Sequence, residues 1–292
     1  MPDPVPWCQT KTGQQHTAGH LLIRVGYEIA FGFSQPTAVL MMLHVHPSRA
    51  GSIRKPERLE VQPRVPISEF IDSFGNRCGR IFVPAGRVVL RNDAIVEDSG
   101  QPDPQGWNAL QHNVQDLPDD VLQFLLASRY CEVDSELKDL AGNLFNSTPP
   151  GWARVQSICN FVYQHVRFDY QQARANRTAL ETFRERTGVC RDFTHLGITL
   201  CRCMNIPARY CTGYLGDIGV PPAASPMDFS AWFEAFLGGT WWAFDPRNNI
   251  PRIGRILMAH GRDAADAALT TTFGMNQLQS FNVWTNEVAD TR

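Results

Sequence analysis

From Ile23 the chain alternates apolar and polar positions: Ile23, Val25, Tyr27, Ile29 and Phe31 fall on one side, with Arg24, Gly26 and Glu28 between them. A period of two is the mark of a β-strand with one buried face. Shorter runs of strand character follow at 38–45, 59–61, 67–72, 80–83, 88–90 and 94–97, divided by turn-forming clusters such as Asp72-Ser73-Phe74-Gly75-Asn76 and Pro84-Ala85-Gly86. Short strands at regular spacing predict a β-sandwich over residues 20–98, behind a polar tail of residues 1–19.

The pattern changes over 99–116, where Gln, Pro, Gly and Asn dominate and a linker is expected. Beyond it the spacing becomes helical. Pro118 with Asp119 and Asp120 opens a predicted helix through Leu122, Leu125 and Leu126, because proline fits a first turn and carboxylates suit the positive end of the dipole. A second helix is predicted near Asp134, with Leu137, Leu140, Ala141 and Leu144 inward and Pro149-Pro150 ending it. Trp152, Val155, Ile158, Cys159, Val162 and Val166 mark a third, and Phe193, Leu196, Leu200 and Cys203 a fourth that starts after Gly188. Strands follow at 208–214, 231–237 and 240–244, the last two joined by Gly238-Gly239. Helices first and strands afterwards predict an α+β unit over 117–292. No internal repeat, low-complexity tract or glycine-rich phosphate loop interrupts this order.

Composition narrows the function classes. With 292 residues and 43% hydrophobic content the chain can bury a sizeable core. Lys+Arg 27 against Asp+Glu 29, with no block of like charge, gives no field that favours nucleic acid. The tail, with Pro2, Pro4 and Pro6, lacks the apolar centre of a secretory signal, and no apolar run approaches the roughly 18 residues a membrane span needs. No membrane association and a cytoplasmic location are therefore expected. Eight cysteines without C-x-x-C spacing do not form a disulfide framework, and Cys201-x-Cys203 is too tight for a zinc pair. His44 and His46 are expected as a solvent-facing strand pair without a third ligand, so no metal is assigned.

One cysteine stands out. Cys190, in Thr187-Gly188-Val189-Cys190-Arg191-Asp192, sits where the fourth helix begins. A thiol at the positive end of a helix beside an arginine is expected to have a lowered pKa, as a nucleophile requires. Considered alone it is equally a buried cysteine in a cap. The hairpin adds geometry: pairing Leu237 with Thr240 across Gly238-Gly239 puts Trp232 opposite Asp245, and residue 230 diagonal to Asp245 at roughly 7–8 Å. An imidazole at 230 would span that gap, with one nitrogen on the carboxylate and the other toward a thiol. The residue there is Ser230.

The runs Gly188-Val189-Cys190-Arg191-Asp192-Phe193-Thr194-His195-Leu196, Asn205-Ile206-Pro207-Ala208-Arg209-Tyr210, Met227-Asp228-Phe229-Ser230-Ala231-Trp232-Phe233-Glu234 and Trp242-Ala243-Phe244-Asp245-Pro246-Arg247 closely resemble bacterial transglutaminase-like proteins. The likeness extends to the N-terminal β-sandwich and to the tail Gly261-Arg262-Asp263-Ala264-Ala265-Asp266. It implies a papain-like Cys-His-Asp triad, with Cys190 as nucleophile, position 230 as base and Asp245 as the orienting carboxylate. The family pattern reads Asp-Phe-His-Ala-Trp where this chain has Asp-Phe-Ser-Ala-Trp. A serine is no base near neutral pH, and loss of a triad member costs on the order of 10⁴-fold in rate. Ser230 is open to three readings: an introduced inactivating change, a natural loss of catalysis, or a repurposed site.

Two histidines are candidate surrogate bases. His260 precedes Gly261-Arg262-Asp263. His195 lies five residues beyond Cys190, about 140° around the helix. Asp192 either caps its helix, the preferred reading, or holds Arg209, and with Trp232 it is assigned to the substrate cleft. Trp232, Phe233, Trp241 and Trp242 are otherwise core aromatics of the hairpin. The Cys190 N–H is the natural first oxyanion donor. The implied chemistry is acyl transfer through a Cys190 thioester, to water or to an amine, from a peptide, protein or small amide substrate. No organic cofactor is implied, and no acidic loop is present to hold calcium. The alternatives are an inactive binding or scaffold protein on the same fold, and a thiol site repurposed for a small acyl compound. The oligomeric state stays open.

Overall fold

The computed structural model describes residues 20–222 and 226–288, so the tail 1–19, with Cys8, lies outside the described residues. In chain order the first half supplies β1 (Leu21–Phe33), β2 (Thr37–Met41), β3 (Ile53–Lys55), β4 (Glu60–Gln62), β5 (Ser68–Ile71), β6 (Arg77–Val83) and β7 (Gly86–Asp98). The second half supplies α1 (Leu137–Phe145), α2 (Trp152–His165), β8 (Arg167–Phe168), α3 (Ala179–Glu185), β9 (Thr187–Gly188), α4 (Cys190–Cys203), β10 (Ala208–Tyr214), β11 (Ser230–Leu237), β12 (Thr240–Phe244), β13 (Ile256–Gly261), β14 (Thr270–Thr272) and β15 (Asn276–Val288). The fold is α+β.

Two antiparallel sheets form the β-rich part, one ordered β15-β1-β7-β3 with β4 also on β7, the other β14-β2-β6-β5. Their inward residues, including Val25, Tyr27, Ile29, Val39, Ile81 and Leu90, make one apolar core. Two expected strands, 88–90 and 94–97, are one. Asn92 keeps the alternation going by burying an amide that donates to Glu57 at 3.0 Å, so Arg91-Asn92-Asp93 is no break. The strand pairing also crosses the boundary expected near residue 117. β14 pairs with β2 and β15 runs along nearly all of β1, so residues 270–272 and 276–288 belong to the sheets begun by the first half.

The second half places β12-β11-β10-β13 against helices, with α4 packed on β11 and β10. Gly197 permits this approach: a Cβ there would lie 2.8 Å from the Phe233 ring. Ala231, Phe233, Ala235 and Leu237 share a core with Phe193, Leu196 and Leu200. The segment after Pro118 is a 3-10 helix, Asp119–Leu125, rather than an α-helix. It buries Val121 and Phe124, three apart, which matches the tighter turn and leaves Leu126 outside. α1 buries Leu137, Ala141 and Phe145 at intervals of four, so Phe145 takes the inward place expected of Leu144. Among the described residues no helix is long and apolar enough to cross a membrane.

Candidate active site

Cys190 is the first residue of α4, held there by local structure on both sides. Before it, Gly188 pairs with Phe168 across the parallel β8–β9 bridge, and a Cβ at Gly188 would come 2.7 Å from Asp192. After it, the Asp192 carboxylate turns back to accept from the Val189 N–H at 3.0 Å, which caps the helix. Asp192 is fully buried and pairs with Arg177 at 2.9 Å. It therefore does not line the cleft as expected, and it does not hold Arg209, which bonds Glu234 at 2.7 Å and stacks 4.3 Å over Trp241.

The expected hairpin register is present: Leu237 pairs with Thr240 and Phe233 with Phe244, around Gly238 and Gly239 at positive φ. Continuing that register sets Trp232 beside Asp245, and the Arg255 guanidinium touches both, 4.7 Å from the indole centre and 3.4 Å from the carboxylate. Trp232 is only 1% exposed and does not line the cleft that Ser230 borders. The cleft assignment of Trp232 is corrected accordingly.

Ser230 opens β11 opposite Gly213, and its carbonyl accepts from the Thr212 hydroxyl at 3.1 Å. The N–H of the next residue, Ala231, lies close enough to the Cys190 thiol to favour its charged form, so the start of β11 and the thiol are neighbours. Ser230 lines a cleft of about 450 Å³ with Tyr170, Asp228, Arg247 and Asn248. Asp245 is buried, bonded to two residues that line the cleft. Its Oδ1 accepts from the backbone of Arg247 at 3.2 Å and Asn248 at 3.0 Å, and its Oδ2 accepts from the Asn248 amide at 2.8 Å. Arg255 completes the carboxylate's surroundings while binding Asp103 of the linker at 2.9 Å. Cys190 thus lies beside the start of β11 and near enough to Asp245 to feel its charge.

The thiol is not activated as the helix position suggested. Although Cys190 keeps partial exposure, burial pushes its pKa up to about 11, with the carboxylates of Asp228 and Asp245 raising it further. Arg247 and the Ala231 N–H pull the other way without prevailing. The helix field is limited to roughly half a charge, which desolvation of a thiolate outweighs when no imidazolium stands beside it.

Neither surrogate histidine faces the thiol. His195 is wholly buried, its Nε2 accepts the Ala264 N–H at 3.1 Å, and its ring stacks on Tyr130. His260 lies in β13 at the far edge of the sheet, against His46 with ring centres 5.1 Å apart and its backbone clamped by Asn76. The remaining described histidines are engaged elsewhere: His20 with Glu97, His44 between Glu57 and Glu69, His112 with Gly239 and His165 with Phe183. His44 and His46, expected to face solvent, are both buried. No group of three metal-ligating side chains occurs among the described residues.

Several residues of the site escaped the sequence reading. Asp103, Arg177 and Arg255 act through contacts distant in sequence and left no local signal. Asn248 and Arg247 did leave one, since an aspartate followed within three residues by Asn at a strand end is an Asx-turn pattern.

Comparison with known proteins places the fold in a family. A family model described as the transglutaminase-like superfamily matches residues 138–246. An uncharacterised protein of Mycobacterium leprae (strain TN) is 27% identical over 222 residues, 72% of this chain and 77% of its own length. A crystal structure of a candidate cysteine protease from Cytophaga hutchinsonii superposes with a TM-score of 0.80 at 31% identity, covering 94% of this chain and 93% of that one. The chain belongs to the transglutaminase-like superfamily.

Proposed function

We propose that this chain is a cysteine-nucleophile acyl-transfer scaffold disabled at its base: Cys190 holds the nucleophile position, Asp245 the orienting carboxylate, and Ser230 the place of the missing imidazole. In the complete reaction a base at 230 takes the thiol proton, and the thiolate attacks the carbonyl carbon of an amide. The developing oxyanion is stabilised by the Cys190 N–H, and collapse expels the amine, which receives the proton from the base. The thioester is then taken by water, giving hydrolysis, or by an amine, giving transfer. The observation that carries the reading is Ser230 at the start of β11, with both candidate histidines engaged elsewhere, so that nothing offsets the burial that pushes the Cys190 thiol up to about 11.

The test is the rate of Cys190 alkylation by iodoacetamide from pH 5 to 9, with the modified cysteine located by mass spectrometry, in this chain and in Ser230→His. The unchanged chain is expected to react slowly below pH 9, and Ser230→His on the order of 10²-fold faster near neutrality. Fast reaction of the unchanged chain below pH 7 would mean that the thiol is activated by another route. If neither protein reacts, Cys190 is not the nucleophile.

A second reading, a non-catalytic binding protein that keeps the cleft, is favoured by one further observation. Asp245 is already satisfied by Arg247, Asn248 and Arg255, and does not await an imidazole. On that reading Ser230→His reacts no faster with the reagent and gains no amide turnover.

A further inference from the structure

The cleft at Ser230 is lined by two arginines whose capacity to donate is not used up within the protein. Arg247 lies over Phe168, its guanidinium carbon 4.0 Å from the ring centre, and makes no ion pair within 4.0 Å among the described residues, although Asp228 is near enough to feel its charge. It is also the strongest influence drawing the Cys190 thiol toward its charged form, which sets its charge close to the sulfur. Arg252 is only 7% exposed. It donates from Nη2 to the Gly216 carbonyl at 2.8 Å and lies 3.5 Å from Asp217, while its Nε is buried without a partner. The cleft also carries Asp217, against Arg252, and Asp228, whose carboxyl is raised by burial and drawn back down by the Phe229 N–H and by Arg247.

A stacked guanidinium without a carboxylate is a fork preformed for a planar anion. Phosphate as a dianion would meet the two aspartates, whereas a single carboxylate would not carry that excess charge. We infer that this cleft selects a ligand bearing a carboxylate, an acidic peptide or amide, with Arg247 binding that group beside Cys190 and Arg252 supplying a second donor. The inference rests on the proposed function, takes the cleft bordered by Ser230 as its location and names the class of acyl donor. Arg247 and Arg252 are specificity residues in this scheme, distinct from the nucleophile.

Two reagents of nearly the same size test it, since iodoacetate carries one negative charge and iodoacetamide none. Their relative rates at Cys190 at pH 8.5, referred to the same ratio on glutathione, are expected to favour iodoacetate in this chain. The preference should fall about tenfold in Arg247→Gln, survive largely in Arg247→Lys and weaken with added salt. A ratio unchanged by Arg247→Gln overturns the inference. Calorimetric titration of Cys190→Ala with Ac-Ala-Glu-NH2 and Ac-Ala-Gln-NH2 gives a readout that needs no reactive thiol. The glutamate peptide is expected to bind about tenfold more tightly, with the difference lost in Cys190→Ala/Arg247→Gln. Equal binding, or no binding of either peptide, overturns the inference. Failure of Cys190 to react with either reagent would sink the nucleophile reading alone, leaving the titration to decide on the carboxylate.

Discussion

The Asp192 carboxylate serves the helix start and the charge balance together, accepting from the Val189 N–H while pairing with Arg177 and Arg191. Arg177 is itself only 2% exposed, so neutralising Asp192 would leave a guanidinium buried with only part of its compensation, Glu185 and the Gln172 carbonyl. Asp192→Asn is expected to destabilise the fold by about 3–5 kcal/mol, read as a fall in the urea midpoint at unchanged slope. A loss under about 1 kcal/mol would show that Glu185 carries the arginine alone. The same neighbourhood explains why the pKa expected of Cys190 had the wrong sign. Helix position and Arg191 are visible in the sequence, but the sign follows from burial and from Asp228 and Asp245, which arrive by folding.

Among elements, α4 decides the site because it carries the nucleophile position and packs on the strand that carries Ser230. Adding a methyl group in Gly197→Ala would press on the Phe233 ring at 2.8 Å and push the helix off β11. Overpacking of this kind costs about 1–3 kcal/mol, and a greater loss of protection from hydrogen exchange in α4 and β11 than elsewhere is the expected signature. Uniform loss across the molecule would mean that the contact is not local. α3 offers a cleaner comparison. Thr178 accepts from the Glu181 N–H at 3.3 Å and Glu181 accepts from the Thr178 N–H at 2.9 Å. Thr178→Ala is expected to cost about 1 kcal/mol in thermal or urea unfolding. No measurable cost would place α3's stability in its packing rather than in its cap. This Thr-x-x-Glu box is a sequence signal for α3 that periodicity over seven residues was too short to reveal.

At the scale of the molecule the two β layers meet the α4 half across a seam that contains His46 and His260. Burial lowers the pKa of both, that of His260 to about 3, and Arg209 lowers both further, against opposing effects of Glu234 and Asp72 on His46. Above the unfolded value of about 6.5 both states are neutral and the pair contributes no pH dependence. Below it the unfolded chain binds protons that the folded chain refuses, so stability falls as pH drops from about 6.5 toward the folded values. The unfolding temperature is expected to decline from pH 6.5 to 5, with a shallower slope in His260→Gln. A flat profile over that window, or an identical slope in the variant, would mean that the seam does not exclude protons.

The sequence by itself determined the period of β1, the helices α1, α2 and α4, the start of α4 at Cys190, and the Gly238-Gly239 register that sets position 230 diagonal to Asp245. Each of these is set by neighbours within a few residues or by a single hairpin turn, where local physics leaves little choice. Only the tertiary structure decided that β15 closes on β1. Its polar run Asn276-Gln277-Leu278-Gln279-Ser280 carries no strand signal of its own and is ordered by its partner. It also decided the sign of the Cys190 shift, the full burial of Trp232, the placing of His260 on the edge strand against His46, and the Arg255 bridge from Asp103 to Asp245. Those depend on desolvation and on contacts between residues far apart in the chain, 152 positions for Arg255 and Asp103, which no local pattern encodes.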